Sequence, residues 1–253
     1  MDNTDPKEIR ATVRAFYARK AEAFGRSCCE SGARCGCSTP KLYPADQLQP
    51  LPEALGDVSL GCGNPVSETD IRPGDTVLDL GSGGGLDCIL AARRTDPGGR
   101  VIGVDMTPEM IEKARGNAER AGAANVEFRL GQIEDLPLAD GEADLVISNC
   151  VINLSPDKRK VFREMFRVLR PGGRVAVSDI VTRGPMNPLV ARSLESWAGC
   201  IAGALDQEEY RRGLREAGFT DVALTPVKGM PFSDAAHIAG GVPFSAMITA
   251  RKP

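Results

Sequence analysis

Eight cysteines stand against a single histidine in this 253-residue chain: Cys28, Cys29, Cys35, Cys37, Cys62, Cys88, Cys150 and Cys200, with His237 alone. One imidazole leaves little material for histidine acid–base work or for a histidine-rich metal site, and no partner pattern surrounds it. Thiolates are soft donors and redox partners. In a chain that carries no export signal they point to metal binding or redox chemistry rather than to a structural disulfide frame. The first four cysteines fall in residues 25–45, where Gly, Ser and Pro replace any periodic pattern, so they belong to a loop. Their spacings, Cys28-Cys29 and Cys35-x-Cys37, lack the C-x-x-C pairs typical of zinc. Cys88 falls within an apolar helical face and reads as packing.

The second chemical signal is Asp79-Leu80-Gly81-Ser82-Gly83-Gly84-Gly85, placed between a strand-like run and a helical one. Glycines let a backbone turn tightly and approach a ligand closely. Asp105 ends the next strand-like run, where a carboxylate can accept both hydrogen bonds from a ribose diol. The dinucleotide fingerprint G-x-G-x-x-G needs a small residue where Leu86 stands, and no Lys-Ser/Thr pair follows for a phosphate loop.

The elements that must carry these residues are legible from periodicity. Residues 5–24 read as an amphipathic helix with Ile9, Val13, Phe16, Tyr17 and Phe24 near one face. Short apolar runs over residues 76–80, 100–105, 125–130, 143–148 and 174–180 read as buried parallel strands. Helical stretches alternate with them. One opens at Thr107-Pro108, with Thr as N-cap, and another spans 157–170 before Pro171-Gly172-Gly173 stops it. Residues 185–218 read as mostly helical, and two more strand-like runs follow near 221–225 and 245–250. Alternation of this kind makes an α/β fold, a doubly wound and mostly parallel Rossmann-like sheet.

The G-x-G-x-G spacing, with an acid two residues before the first glycine, resembles the first motif of class I S-adenosylmethionine-dependent methyltransferases. That resemblance implies S-adenosyl-L-methionine as cofactor. It assigns Asp79 to the cationic methionyl end, Gly81, Ser82, Gly83 and Gly85 to the loop, and Asp105 with Met106 to the ribose side. The loop after the third strand, with Gln132, Ile133 and Glu134, would flank the adenine, and Asn149 and Cys150 would lie beside the methyl group.

Cys150 by itself reads equally well as a small buried hydrophobe or as a thiol beside the transferable methyl. Cys62, in Leu60-Gly61-Cys62-Gly63-Asn64-Pro65, and Cys200, in Gly199-Cys200-Ile201-Ala202-Gly203, are glycine-flanked, unlike ordinary core positions. With residues 61–65, 77–85, 150–155, 178–186 and 199–204, the chain resembles the arsenite methyltransferase family, in a short form like its bacterial members. The resemblance implies trivalent arsenic held by Cys62, Cys150 and Cys200. It also implies thiol–disulfide exchange between Cys62 and one of Cys28, Cys29, Cys35 or Cys37, and thioredoxin or glutathione as reductant. Arsenite, its thiol conjugates and methylarsenite are the implied substrates. The chemistry is coherent: trivalent arsenic is soft, three thiolates leave it a lone pair, and that lone pair can attack a sulfonium methyl with no proton to remove. The long C-terminal extension of algal and animal members is absent, so nothing is carried over from it.

Three segments follow: residues 1–70 as an N-terminal helix and Cys-rich loop, 71–184 as the S-adenosylmethionine-binding core, and 185–253 as an arsenic-binding helical region with C-terminal strands. Asn153 either lines the site or caps helix 157–170, Glu195 and Trp197 border the arsenic pocket unless Trp197 is core, and His237 reads as a surface residue. A net charge of −3 offers no basic field for nucleic acid or anionic membrane. No apolar run approaches the ~18–20 residues of a membrane helix, and the start lacks a secretory signal, so a cytoplasmic address is expected; a monomer is the expected state. Two other readings compete. A methyltransferase acting on carbon, oxygen or nitrogen should show a carboxylate or His base beside the cofactor, and none is evident near residues 149–154. A metalloid-sequestering protein on a degenerate scaffold should show an eroded glycine loop, yet that loop and Asp105 are intact.

Overall fold

Four of the apolar runs, at residues 76–80, 100–105, 143–148 and 174–180, become strands buried on both faces, whereas the run at 126–130 forms an edge strand that buries only Phe128. The computed structural model describes residues 5–23, 42–48, 51, 61–185, 197, 202–227 and 241–253. Cys28, Cys29, Cys35, Cys37, Cys200, Glu195 and His237 lie outside the described residues. Strands β1 (Thr76–Leu80), β2 (Arg100–Asp105), β3 (Val126–Leu130), β4 (Ala143–Asn149), β5 (Leu169–Arg183), β6 (Thr220–Pro226) and β7 (Val242–Arg251) form one sheet in the order β3-β2-β1-β4-β5-β7-β6. The first five are parallel, and β7 runs antiparallel between β5 and β6. This is the mostly parallel, doubly wound sheet that the alternation implied.

Side chains of β1 alternate between two cores. Leu78 and Leu80 pack with Ile102, Val104 and Val146 under helices α5 (Lys158–Val168) and α6 (Gln207–Glu216), through Val161, Phe162, Met165 and Tyr210. Val77 joins Val101, Leu145 and Ile147 beneath α3 (Leu86–Thr95) and α4 (Pro108–Arg120), through Ile89, Ala92, Ile111 and Ala114. Helix α1 (Pro6–Ala23) contributes Ile9 and Val13 to a third, smaller cluster with Cys62, Cys150, Leu154, Ile180, Trp197, Ala202 and Ala204. A one-turn helix, α2 (Ala45–Leu48), lies between α1 and β1. No described helix is long and apolar enough to cross a membrane.

Three local expectations are refined. Thr107 is the N-cap of α4 with Pro108 at the first turn, but its side chain makes no cap hydrogen bond. Its backbone N–H instead donates to Asp105 Oδ1 at 2.9 Å. Helix α5 ends at Val168, two residues earlier than the pattern suggested, because Leu169 already pairs with Ala143. The Pro171-Gly172-Gly173 stretch therefore lies inside β5, with Gly172 N–H donating to Lys252 O and Lys252 N–H to Gly173 O, both at 2.9 Å. Asn153 does not cap α5. Asp157 does, accepting from Lys160 N at 3.0 Å, while Asn153 Nδ2 donates to Ile180 O at 2.6 Å.

Candidate active site

β1 has β2 on one side and β4 on the other, so the chain direction of the crossovers reverses there, and a crevice opens beyond the strands' carboxyl ends. The loop of residues 81–85 turns within it. Gly81 and Ser82 donate backbone hydrogen bonds to Val104 O at 2.7 and 3.0 Å, and Gly83 N–H donates to Asp105 Oδ2 at 3.0 Å. Gly81 has φ 69°, and a Cβ there would run into the Val151 side chain, so only glycine fits. Gly85 serves packing: a Cβ would stand 2.9 Å from Phe128 and 3.2 Å from Ala114, and the residue does not line the crevice. Gln132 does not line it either; its backbone bridges to Asp135.

Asp79, Gly81, Ser82, Gly83, Asp105 and Met106 line the cavity, together with Ile133, Glu134, Asn149 and Cys150. Ser82 Oγ is buried with no hydrogen-bond partner among the described residues. Glu134 is held by Ser155 Oγ, which donates at 2.7 Å, and by Arg10 of α1 at 3.4 Å.

Two acids, Asp79 and Asp87, shape this crevice. Asp79 is 3% exposed, and burial followed by the Asp87 charge pushes its pKa well above the usual carboxylate range. Cys88, expected only to pack, is buried and also donates its thiol proton to Asp79 Oδ2 at 3.2 Å. Asp87 accepts from Tyr43 OH at 2.7 Å and from Asn149 Nδ2 at 3.1 Å, and burial raises its pKa as well. Neither acid forms an ion pair among the described residues. Two desolvated carboxyl groups facing one cavity favour a cationic ligand end.

The sulfurs come next. Cys62 and Cys150 form a disulfide with Cα atoms 5.8 Å apart, although 88 positions separate them in the chain. Cys150 follows the last residue of β4 with φ 59°, and its N–H donates to Ser178 O at 2.8 Å. Cys62 is held by Asn149 Oδ1, which accepts its N–H at 3.0 Å, and by Ser245 Oγ, which donates to its carbonyl at 2.7 Å. The Cys62 Sγ stands 3.8 Å from Ser178 Oγ. Trp197 and Ala202, on either side of Cys200 in sequence, pack in the same cluster as both sulfurs.

Asp87, Tyr43 and Asp179 were missed in the sequence. Asp87 and Asp179 supply the carboxylates that residues 149–154 lack in sequence: Asp87 through Asn149, and Asp179 through its approach to Cys150. A polar residue inside each apolar run, Asp87 in 86–92 and Asp179 in 174–181, was the available signal.

Residues 71–218 match a methyltransferase-domain family model. An arsenite methyltransferase of Halobacterium salinarum is 45% identical over 267 aligned residues, covering 98% of this chain and 68% of that one. The chain belongs to the arsenite methyltransferase family. A second member, from Aquipseudomonas alcaligenes, is 38% identical over 90% of this chain and 67% of its own. Among solved structures, an arsenic(III) S-adenosylmethionine methyltransferase from Chlamydomonas reinhardtii superposes with a TM-score of 0.71 at 35% identity. That match covers 83% of this chain and 73% of the algal one. The arsenite methyltransferase fold seen here is thus that of an S-adenosylmethionine-dependent enzyme.

Proposed function

We propose that this chain transfers the methyl group of S-adenosylmethionine to trivalent arsenic held by cysteine thiolates. The observation that carries the proposal is the meeting of Cys62 with Cys150, which lines the same cavity as the glycine loop, Asp79 and Asp105. The donor chemistry fits the cofactor. Asp105 presents a carboxylate for ribose hydroxyls, with Met106 beside it, and Asp79 presents one for the cationic methionyl end. Ser82 Oγ is a buried hydroxyl in need of a partner, and Ile133 and Glu134 stand where the adenine edge would lie. Bound there, S-adenosylmethionine supplies an electrophilic methyl on a sulfonium.

Soft thiolates select trivalent arsenic. Cys62 and Cys150 provide two of them, and Cys200 is assigned as the third. Before arsenic is loaded, two electrons and two protons from a thioredoxin-like protein or glutathione open the Cys62–Cys150 disulfide to two thiols. An N-terminal cysteine, Cys28, Cys29, Cys35 or Cys37, exchanges with Cys62. Arsenite, its thiol conjugates and methylarsenite are the substrates.

Arsenic's lone pair is the nucleophile, so no side chain has to remove a proton at the transfer. The residues act by alignment, worth ~7–11 kcal/mol in favourable intramolecular cases. Asn149 ties the Cys62 backbone to Asp87 beside the glycine loop, so the sulfur wall and the cofactor wall share one support. The test is direct: incubate the purified chain with labelled methyl donor, arsenite and a thiol reductant, and identify labelled products. Methylated arsenicals are expected. Label found on carbon, oxygen or nitrogen acceptors, with none on arsenic, would reject the proposal.

A further inference from the structure

Asp179 is fully buried at the sulfur wall. One carboxylate oxygen, Oδ1, accepts the N–H of Ile180 at 3.0 Å, while Oδ2 has no hydrogen-bond partner among the described residues. The sheet register explains its position. Asn149, the last residue of β4, pairs with Ser178, so Asp179 stands one residue beyond, level with Cys150. One carboxylate oxygen and the sulfurs of Cys62 and Cys150 all lie within 4.8 Å of one another. A buried oxygen without a partner is costly unless something meets it.

We infer that Asp179 and the reduced thiolates of Cys62 and Cys150 form a three-donor site for a thiophilic divalent cation, Zn2+ or Cd2+. The site arises once a reductant has split the S–S bond into two thiols: two thiols give two electrons and two protons and end as a disulfide, whereas a phosphine gives two electrons and ends as its oxide, water supplying the oxygen and both protons. The cation then displaces both thiol protons to solvent. Zinc–sulfur bonds of ~2.3 Å at tetrahedral angles place two sulfurs ~3.8 Å apart, and the larger cadmium ion sets them somewhat farther apart. With Cα atoms 5.8 Å apart, side-chain rotation alone opens the pair to that distance. Two thiolates and one carboxylate carry three negative charges against two on the cation, and Lys158, whose ammonium is attracted to Asp179, offsets the remainder. Water completes the tetrahedron. Such a cation occupies two of the sulfurs proposed for arsenic without needing Cys200, and so competes with arsenic. The inference rests on the geometry of these three residues and not on the identity of the methyl acceptor.

Cd2+ is the probe. In a full-length chain with Cys28, Cys29, Cys35 and Cys37 changed to Ser, the disulfide is reduced with a phosphine, which is then removed without air. Cd2+ is titrated in and read by its sulfur charge-transfer absorbance, and X-ray absorption counts the sulfurs around it. The expected result is one bound Cd2+ with two sulfur neighbours. Cys200→Ser should leave the affinity unchanged, and Asp179→Asn should weaken it about tenfold or more. Asp179→Cys should raise the sulfur count from two to three. Three sulfurs in the parent, no bound Cd2+, or equal affinity in Asp179→Asn would overturn the inference. The sulfur count of the parent needs no variant, so it decides even where Asp179→Asn fails to fold.

Discussion

Asn149 accepts the backbone N–H of Cys62 at 3.0 Å through its side-chain oxygen. The same amide donates to Asp87, to Gly63 O at 2.9 Å and to Tyr43 OH at 3.1 Å. One amide at the end of β4 thus fastens three segments distant in sequence. Asn149→Ala strips partners from these buried groups, each unmet group costing about 1–3 kcal/mol. We expect a stability loss of roughly 2–4 kcal/mol, read as a lower denaturant midpoint, together with a fall in arsenite turnover. Gly61→Ala should act similarly, because a Cβ at Gly61 would fall on the Asn149 side chain. Unchanged midpoints in both variants would show that the amide carries no such load.

Asp105 tests the ribose assignment. Its two oxygens accept Gly83 N–H and Thr107 N–H, and the residue lines the cavity. Asp105→Ala should weaken S-adenosylmethionine binding by at least about 100-fold, since the two ribose hydrogen bonds to a charged group contribute ~1.5–3 kcal/mol each. Calorimetry measures this, and an unaltered affinity would remove Asp105 from the ribose.

The sulfurs should separate acceptor from cofactor. Cys150→Ser or Cys200→Ser is expected to abolish methylation of arsenite while cofactor affinity stays nearly the same. Assays of both quantities on the same preparations check it. Turnover retained in both variants would take these sulfurs out of the arsenic site.

Lys158 gives a pH prediction. Burial lowers its pKa to about 8, while Asp179 and Glu209 oppose the shift, and its ammonium stands 4.8 Å from the Trp197 ring centroid. A lysine with a depressed folded pKa is neutral in the folded chain and charged in the unfolded chain between about pH 8 and the ordinary value of 10.5. Over that window the unfolded state binds more protons, so this residue's contribution to stability rises with pH. Relative to Lys158→Met, the parent should gain up to about 3 kcal/mol from pH 8 toward 10.5. Denaturant titrations of both proteins at several pH values check the slope. Parallel curves would refute the lowered pKa of Lys158.

The N-terminal cysteines bear on substrate order. Changing Cys28, Cys29, Cys35 and Cys37 to Ser should harm methylation of arsenite more than that of methylarsenite, which needs fewer thiols. Parallel rate assays on the two substrates decide, and equal losses would contradict it.

The strands and the glycine loop were legible because a parallel strand buried on both faces writes itself as a continuous apolar run, as residues 76–80 do. Asp105 was legible because it ends such a run in a fixed relation to the loop. Other features had no local trace. Cys88 reads as packing because apolar neighbours surround it; its bond to Asp79 depends on how α3 leans on β1. Tyr43 meets Asp87 across 44 positions, and no periodicity spans such a gap.

By itself, then, the sequence determined which residues are strand or helix, which loop turns on glycines, and which atoms are soft donors, since backbone freedom and side-chain chemistry are local properties. The tertiary structure alone decided who meets whom. Pairing of β4 beside both β1 and β5 carries Cys150 to Cys62, sets Asp179 against both sulfurs, and joins Asn149 to Asp87. Such meetings depend on strand order and register, which are fixed by burying two cores at once, a property of the whole chain that no single segment contains.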